Sequence, residues 1–329
     1  MKQRNGDFVF ENVSNIDKVI LTVAVPIRLI QSFIEFNSLY VFPTMRFVKN
    51  WWTVGLVYSG IKSSSEVKMK DGSSIVFDRR NINELVSKMR SIGLDERISK
   101  KLDVKIHGEK ATIRAGKRTL NIGLESLSAV ALEFFNKPHK QMNVKGRVVV
   151  DIGAYLGETA IYYATEGKAK AVYAYEIFPF LCRKASTNIK INGLENKIKV
   201  FNEGLGGKPG SQMISSGESS FAKLDAVHHK DKVRVKIVTL DQIVDTYRIK
   251  NGALKVDCEG QEYNIFKTAS SKALHAFDIM HIEYHYGYKD LVERLTKEGF
   301  DVEYTKPSMN IKGFSKPMLN GDILATIKN

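Results

Sequence analysis

From residue 147 onward the chain alternates short apolar runs with amphipathic stretches, and Gly, Asn or Asp punctuates most of the joins. The runs Arg147–Ile152, Ala171–Tyr175, Lys197–Asn202, Ala253–Asp257 and Asp278–Tyr284 are short, and several are apolar almost throughout. That is the pattern of parallel strands covered on both faces. Helical periodicity falls between them at 158–165, 179–191, 240–247 and 261–269, and again at 289–298. Strand–helix alternation of this kind predicts an α/β fold around a parallel sheet. Two further strands are expected at Phe300–Tyr304 and Asp322–Ile327. The linker between them, KPSMNIKGFSKPMLNG, is too short and too broken for a crossover helix, so this pair reads as an antiparallel hairpin. Seven strands ending in such a hairpin make a Rossmann-like sheet that departs from dinucleotide-binding topology, which would continue strand–helix–strand.

The first part of the chain follows a different rhythm. EVKMKDGSSIVFD, residues 66–78, carries Asp-Gly between alternating runs and predicts a hairpin. A short helix is expected from about Asn81 or Asn83 to Gly93, antiparallel strand over 104–122 and another helix over 124–136. Residues 16–61 are rich in aromatics, among them Phe33, Trp51 and Trp52, with Arg28, Arg46 and Lys49 interleaved. They read as one or two amphipathic helices broken near Pro26 and Pro43, forming either a packed cap or a surface for an anionic membrane. Three regions follow: an aromatic-rich basic helical segment (1–65), a mixed β-hairpin and helix region (66–140) and a main domain (141–329). Within the last, residues 203–233 show no clear helix, which predicts a functional loop or a concealed small hairpin.

Composition adds two constraints. The cysteines, Cys182 and Cys258, form no CxxC pair, which removes a disulfide framework and a zinc site of the usual spacing. The net charge of +14 is concentrated early, with 24 basic against 14 acidic residues over positions 1–145. That imbalance suits an acidic partner or simply a solubilising surface. The polar start, and a longest apolar run of nine residues (Val19–Ile27), predict neither a signal peptide nor a spanning helix. The expectation is a cytoplasmic protein, with peripheral membrane association through residues 16–61 as the alternative.

Candidate chemistry gathers at VVVDIGAYLGETA, residues 148–160. A strand, an acid and a glycine-spaced turn lead into a helix, the arrangement of a nucleotide-like ligand site. The dinucleotide fingerprint fails, because Tyr155 and Leu156 stand where its middle glycine is needed, and a phosphate loop fails for want of Lys-Ser/Thr. Asp151 ahead of the turn would repel a pyrophosphate but suits a ligand carrying an ammonium and a sulfonium, S-adenosylmethionine (SAM). Glu176, closing the second strand in AVYAYEIFPF, is placed to accept both ribose hydroxyls. The predicted cofactor residues are Asp151, Gly153, Ala154, Gly157, Glu158, Thr159, Glu176, Ile177, Glu203 and Gly204.

DIGAYLGETA, YEIFPF, NIKINGLENKIKV, TLDQIVD, LKVDCEGQEYNIFK and HIEYHYG occur in that order, and together they resemble the FkbM family of SAM-dependent methyltransferases over residues 141–329. The most specific element is Lys255-Val-Asp257-Cys-Glu259-Gly260-Gln-Glu262. The resemblance implies a class I methyltransferase sheet and O-methylation, often of sugar or natural-product acceptors. Two departures are visible: Tyr155 and Leu156 replace the commoner Asn and smaller aliphatic, and residues 1–65 match nothing in the family.

A hydroxyl acceptor keeps its proton near neutral pH, so O-methylation calls for a base. Asp257 and His285 are the candidates, with Glu259 or Glu283 orienting the base or the acceptor. Lys255 and Glu283 are predicted to face substrate, although Lys255 and Glu262 also read as an internal ion pair. Oxygen ligands cluster at Asp257, Glu259 and Glu283, yet nothing requires a metal and none is predicted. His228-His229 reads as a solvated loop, since adjacent strand residues point to opposite faces. The expected acceptor is a hydroxyl or carboxylate of a small molecule or glycan, a lipid-linked sugar included, and a carboxylate would need no base. The alternatives are RNA docked on the basic first half, and a methyltransferase-like module that binds without catalysis.

Overall fold

The computed structural model describes residues 48–58, 61–70, 72, 74–78, 103–107, 110–115, 118–123, 126, 130, 142–214, 232–310 and 318–328. The first described helix is α1 (Trp52–Tyr58), followed by β1 (Ser64–Lys68) and β2 (Ser74–Asp78), which pair antiparallel as the predicted hairpin. Then β3 (Asp103–His107), β4 (Lys110–Ala115) and β5 (Arg118–Gly123) form an antiparallel meander. Most of segment 16–61, the helix expected near 81–93, all of 124–136 but residues 126 and 130, and His228-His229 lie outside the described residues. Among the described residues no helix is long and apolar enough to cross a membrane.

The main domain runs β6 (Val148–Ile152), α2 (Glu158–Thr165), β7 (Ala171–Tyr175), α3 (Pro179–Ile191), β8 (Ile198–Phe201), β9 (Glu203–Leu205), β10 (Gly210–Ile214) and β11 (Val233–Val238). It continues through α4 (Leu240–Tyr247), β12 (Gly252–Val256), α5 (Glu262–Thr268), α6 (Ser271–Leu274), β13 (Phe277–Tyr284), α7 (Lys289–Lys297), β14 (Phe300–Tyr304), β15 (Ser308–Asn310) and β16 (Met318–Ile327). The large sheet has the order β14-β16-β13-β12-β6-β7-β8. Its strands from β13 to β8 are parallel, whereas β16 runs antiparallel between β13 and β14. This strand order, with one reversed strand inserted next to the edge, is that of the class I methyltransferases.

Alternation along the parallel strands separates two hydrophobic layers. Val150, Leu254 and Met280 join Ile243, Phe266 and Leu295 from α4, α5 and α7 in one cluster. Val149, Ala253 and Val172 join Ile161 and Tyr163 of α2 and Ile189 of α3 in the other. Burial on both faces explains why these runs read as apolar throughout. The meander belongs to the second layer, contributing Ile113, Leu120 and Ile122. Two asparagines, one within α3 and one capping its C-terminus, hold it there: Asn192 exchanges hydrogen bonds with the Asn121 backbone at 2.8 and 2.6 Å, and Asn188 Oδ1 accepts from Gly123 N at 3.2 Å.

The stretch after β8 conceals strands. β10 and β11 pair antiparallel, and β9 pairs parallel with β11, so a small three-stranded sheet stands beside the large one. α4 begins with a capping box, in which Thr239 and Gln242 satisfy each other's backbone N–H.

Candidate active site

The turn between β6 and α2 depends on backbone shapes that favour glycine. Gly153 has φ +77°, and a Cβ there would lie 1.7 Å from the Asp257 carbonyl oxygen, so the turn can cross the end of β12 only without a side chain. Gly157, φ +83°, caps α2. Between them Tyr155 also adopts positive φ, and its N–H donates to Glu176 Oε2 at 2.8 Å. Phe178 N donates to Glu176 Oε1 at 2.9 Å, so Glu176 ties the turn to the start of α3. Burial pushes the Glu176 carboxyl up to about 7, although these two N–H donors work in the opposite direction.

Over this turn lies a cavity of about 460 Å³. Gly153, Glu158, Thr159, Glu176, Ile177, Glu203, Gly204, Lys255, Asp257 and Glu259 line it, which brings most of the residues singled out in the sequence to one place. Phe178, Leu181, Leu205, Ile237 and Gln261 line it too and were not anticipated; Phe178 and Leu181 could have been found as the apolar positions following Glu176. Five carboxylates and one basic side chain face the cavity. Such a wall disfavours a polyphosphate and suits a cationic ligand, while the apolar side chains offer an adenine-sized surface. The donor chemistry therefore fits SAM, with Glu176 at the strand end where ribose hydroxyls meet an acid.

Asp151 sits beneath this wall. It is fully buried, accepts a hydrogen bond from Thr159 Oγ1, and stands 3.3 Å from Lys255 Nζ. The ammonium facing Asp151 is thus the chain's own. Lys255 also donates to Gly153 O at 2.8 Å and lies 3.8 Å from Asp257. Burial acts against its charge, but Asp151, Asp257 and Glu158 outweigh that and hold its pKa above the usual lysine value. The internal ion pair read from the sequence exists with a different partner: Lys255 pairs with Asp151, and Glu262 pairs with His285.

That second pair organises the cavity's edge. Glu262, the first residue of α5, is fully buried, and its Oε1 lies 2.9 Å from His285 Nδ1. Because a carboxylate can only accept here, Nδ1 carries the proton and Nε2 faces away from Glu262. Nε2 stands 3.7 Å from Asp257 Oδ1, 3.7 Å from Glu259 Oε2 and 4.0 Å from Glu283 Oε1. Burial lowers the His285 pKa, but the hydrogen bond and charge of Glu262, with Asp257 and Glu259, hold it up at about 9. Burial and the Asp257 charge raise the Glu283 pKa, against His285. Asp257, Glu259 and Lys255 line the cavity; Glu283 and His285 do not, but each places a side-chain ligand atom within 4.8 Å of one on Asp257.

Sheet order and cavity together define a SAM-dependent methyltransferase fold. More narrowly, residues 151–302 match the family model described as Methyltransferase FkbM domain. No curated protein matches the chain. Among solved structures, the FkbM methyltransferase from Methylobacillus flagellatus KT is similar at 14% identity and TM-score 0.38, over 75% of this chain and 62% of that one. M. capricolum TrmK with S-adenosyl-homocysteine (SAH) is similar at 15% identity and TM-score 0.39, over 58% and 66%. The chain thus spans less than two thirds of the length of both. The N-terminal domain of human METTL16 with SAH is similar at 15% identity and TM-score 0.39, over 90% and 94%. The fold assignment rests on the sheet order, to which likenesses at these TM-scores add nothing.

Proposed function

We propose that the protein transfers a methyl group from SAM to a hydroxyl oxygen of a small molecule or glycan. The observation that carries this reading is the placement of Asp257 on the cavity wall, backed by Glu283 and His285, where an acceptor proton has somewhere to go. When bound, SAM supplies an electrophilic methyl carbon, and its C–S bond breaks as the O–C bond forms. The chain's part is to align the acceptor oxygen and to remove its proton. His285, held up at about 9, already carries a proton at neutral pH and cannot be the base in this state. Asp257 is therefore the residue that takes the proton, and His285 is a positioning residue held by Glu262.

Calorimetry with SAH and with NAD, on the wild type and on Glu176→Ala, tests the cofactor. Binding of SAH alone, weakened by the substitution, supports the reading, and binding of NAD alone overturns it. Transfer of label from SAM to sugar hydroxyls tests the acceptor, with Asp257→Asn expected to keep SAH affinity and lose turnover. Label appearing only in RNA would move the acceptor to nucleic acid and give the early basic excess its use.

A further inference from the structure

We propose that Asp257, Glu283 and His285 form a binding site for one divalent cation of the Mn²⁺ or Zn²⁺ type. One ligand atom from each lies within 4.8 Å of the other two. Donors around a single cation at about 2.1 Å bond length stand roughly 3 to 4 Å apart, so one ion fits among them with small side-chain adjustments.

A separate observation points the same way. His285 is only 2% exposed, yet its Nε2 is aimed at Asp257, Glu259 and Glu283 from 3.7 to 4.0 Å, too far for a hydrogen bond to any of them. Its other nitrogen is fixed by the buried Glu262, and the His285 backbone N–H donates to the same carboxylate oxygen at 3.1 Å. A carboxylate that locks one imidazole nitrogen and presents the other inward is the usual second layer behind a histidine metal ligand. The ring cannot turn away without breaking that bond.

The scaffold suits the role. Asp257 follows β12 directly, Glu283 lies within β13, and His285 comes two residues later, so neighbouring strands fix all three. The side chains of Asp257 and Glu283 are 34% and 39% exposed, which leaves an entry path. Two carboxylates with one imidazole form a mixed oxygen and nitrogen set, suited to Mn²⁺ or Zn²⁺ rather than to Ca²⁺, which takes oxygen ligands alone.

The inference deepens the methyltransferase reading and rests on it for its chemical purpose: with a cation bound, Asp257 serves as its ligand instead of as the base, and an acceptor hydroxyl on the cation would be acidified enough to give its proton to solvent. Cation binding displaces whatever protons the imidazole Nε2 and the carboxylates carry, and these pass to solvent.

The test is titration of the full chain with Mn²⁺, followed by calorimetry and electron paramagnetic resonance, and with Zn²⁺ by calorimetry, in the absence of SAH. The expected result is one equivalent bound by the wild type, weakened at least tenfold in Glu283→Gln and in His285→Ala. Glu262→Gln, which touches no ion, should weaken binding by about 10- to 100-fold. Glu283→Gln changes a half-exposed carboxyl near the end of β13 and is the informative variant should His285→Ala not fold. No binding at millimolar cation, or equal binding in the wild type and Glu283→Gln, overturns the proposal. SAH titrated separately into the same preparations keeps the two readings apart: cation binding without SAH binding sinks the methyltransferase reading and leaves the cation site standing.

Discussion

Glu262 Oε1 receives both the ring and the backbone of His285, at 2.9 and 3.1 Å, from two elements 23 residues apart in sequence. Its second oxygen accepts from Gly260 N at 2.8 Å. One buried carboxylate thereby fixes the imidazole, the end of β13 and the turn after β12. Glu262→Ala would leave two buried donors and a part-buried one without it and should cost about 3 kcal/mol or more. Chemical denaturation measures this, and a cost below about 0.5 kcal/mol, the scale of ordinary surface substitutions, would show that the contacts are replaceable.

Glycine substitutions around the turn should fall in a definite order. Gly153→Ala drives a Cβ to 1.7 Å from the Asp257 carbonyl, which nothing but backbone movement can relieve. Gly157→Ala meets Ala185 Cβ at 3.3 Å and retains mainly the strain of φ +83°, about 1 kcal/mol. SAH titration of the two variants should show affinity abolished in the first and reduced in the second. The reverse order would mean that the crossing over β12 is not required for the cofactor.

Lys255 and Asp151 face each other across paired residues of β12 and β6, with side chains 3% and 0% exposed. Lys255→Met strands a buried carboxylate and should cost about 3–5 kcal/mol, whereas Lys255→Met with Asp151→Asn should recover most of the loss. Denaturation of the single and double variants checks this. Additive losses would show that the two charges do not sense each other.

Cofactor affinity should depend on pH through Glu176. An acid raised from 4.5 to about 7 keeps its proton in the folded protein over that interval. Its contribution to stability is therefore complete below pH 4.5 and is lost as pH rises through about 7. Ribose hydroxyls bind the ionised form better, so SAH affinity should rise severalfold between pH 6 and 8. Calorimetry at both ends tests this, and Glu176→Gln should bind more weakly and with a flat profile.

The parallel half of the fold was legible because its strands are covered on both faces and its helices carry start signals such as Thr239-Leu-Asp-Gln242. β7, α2, α3, α4 and β14 fall at the bounds read from periodicity. The small sheet shows in the sequence only as a stretch without helix over 203–233, consistent with a functional loop or a concealed small hairpin. Its strand β9 is three residues long and follows β8 after Asn202 alone, without a turn residue to mark the break. Asn202 Nδ2 donates to the carbonyls of Glu176 and Ile177, a long-range cause of that break that periodicity does not carry. The glycine turn and Glu176 could be found because strand ends place them. The pairing of Glu262 with His285 could not, since it depends on how α5 meets the end of β13.

The reversed strand β16 sets an order of assembly. It lies between β13 and β14 and hydrogen-bonds to both, yet it is translated after both. Until residues 318–327 are in place, β13 presents a bare edge to solvent or to another nascent chain, and β14 has no partner in the large sheet. The sheet can be nucleated at β6 and β12, but its closure waits for β16. A ribosome stalled in the stretch that precedes β16 would therefore hold out a sheet that ends at an uncovered β13, open to pairing with the wrong chain.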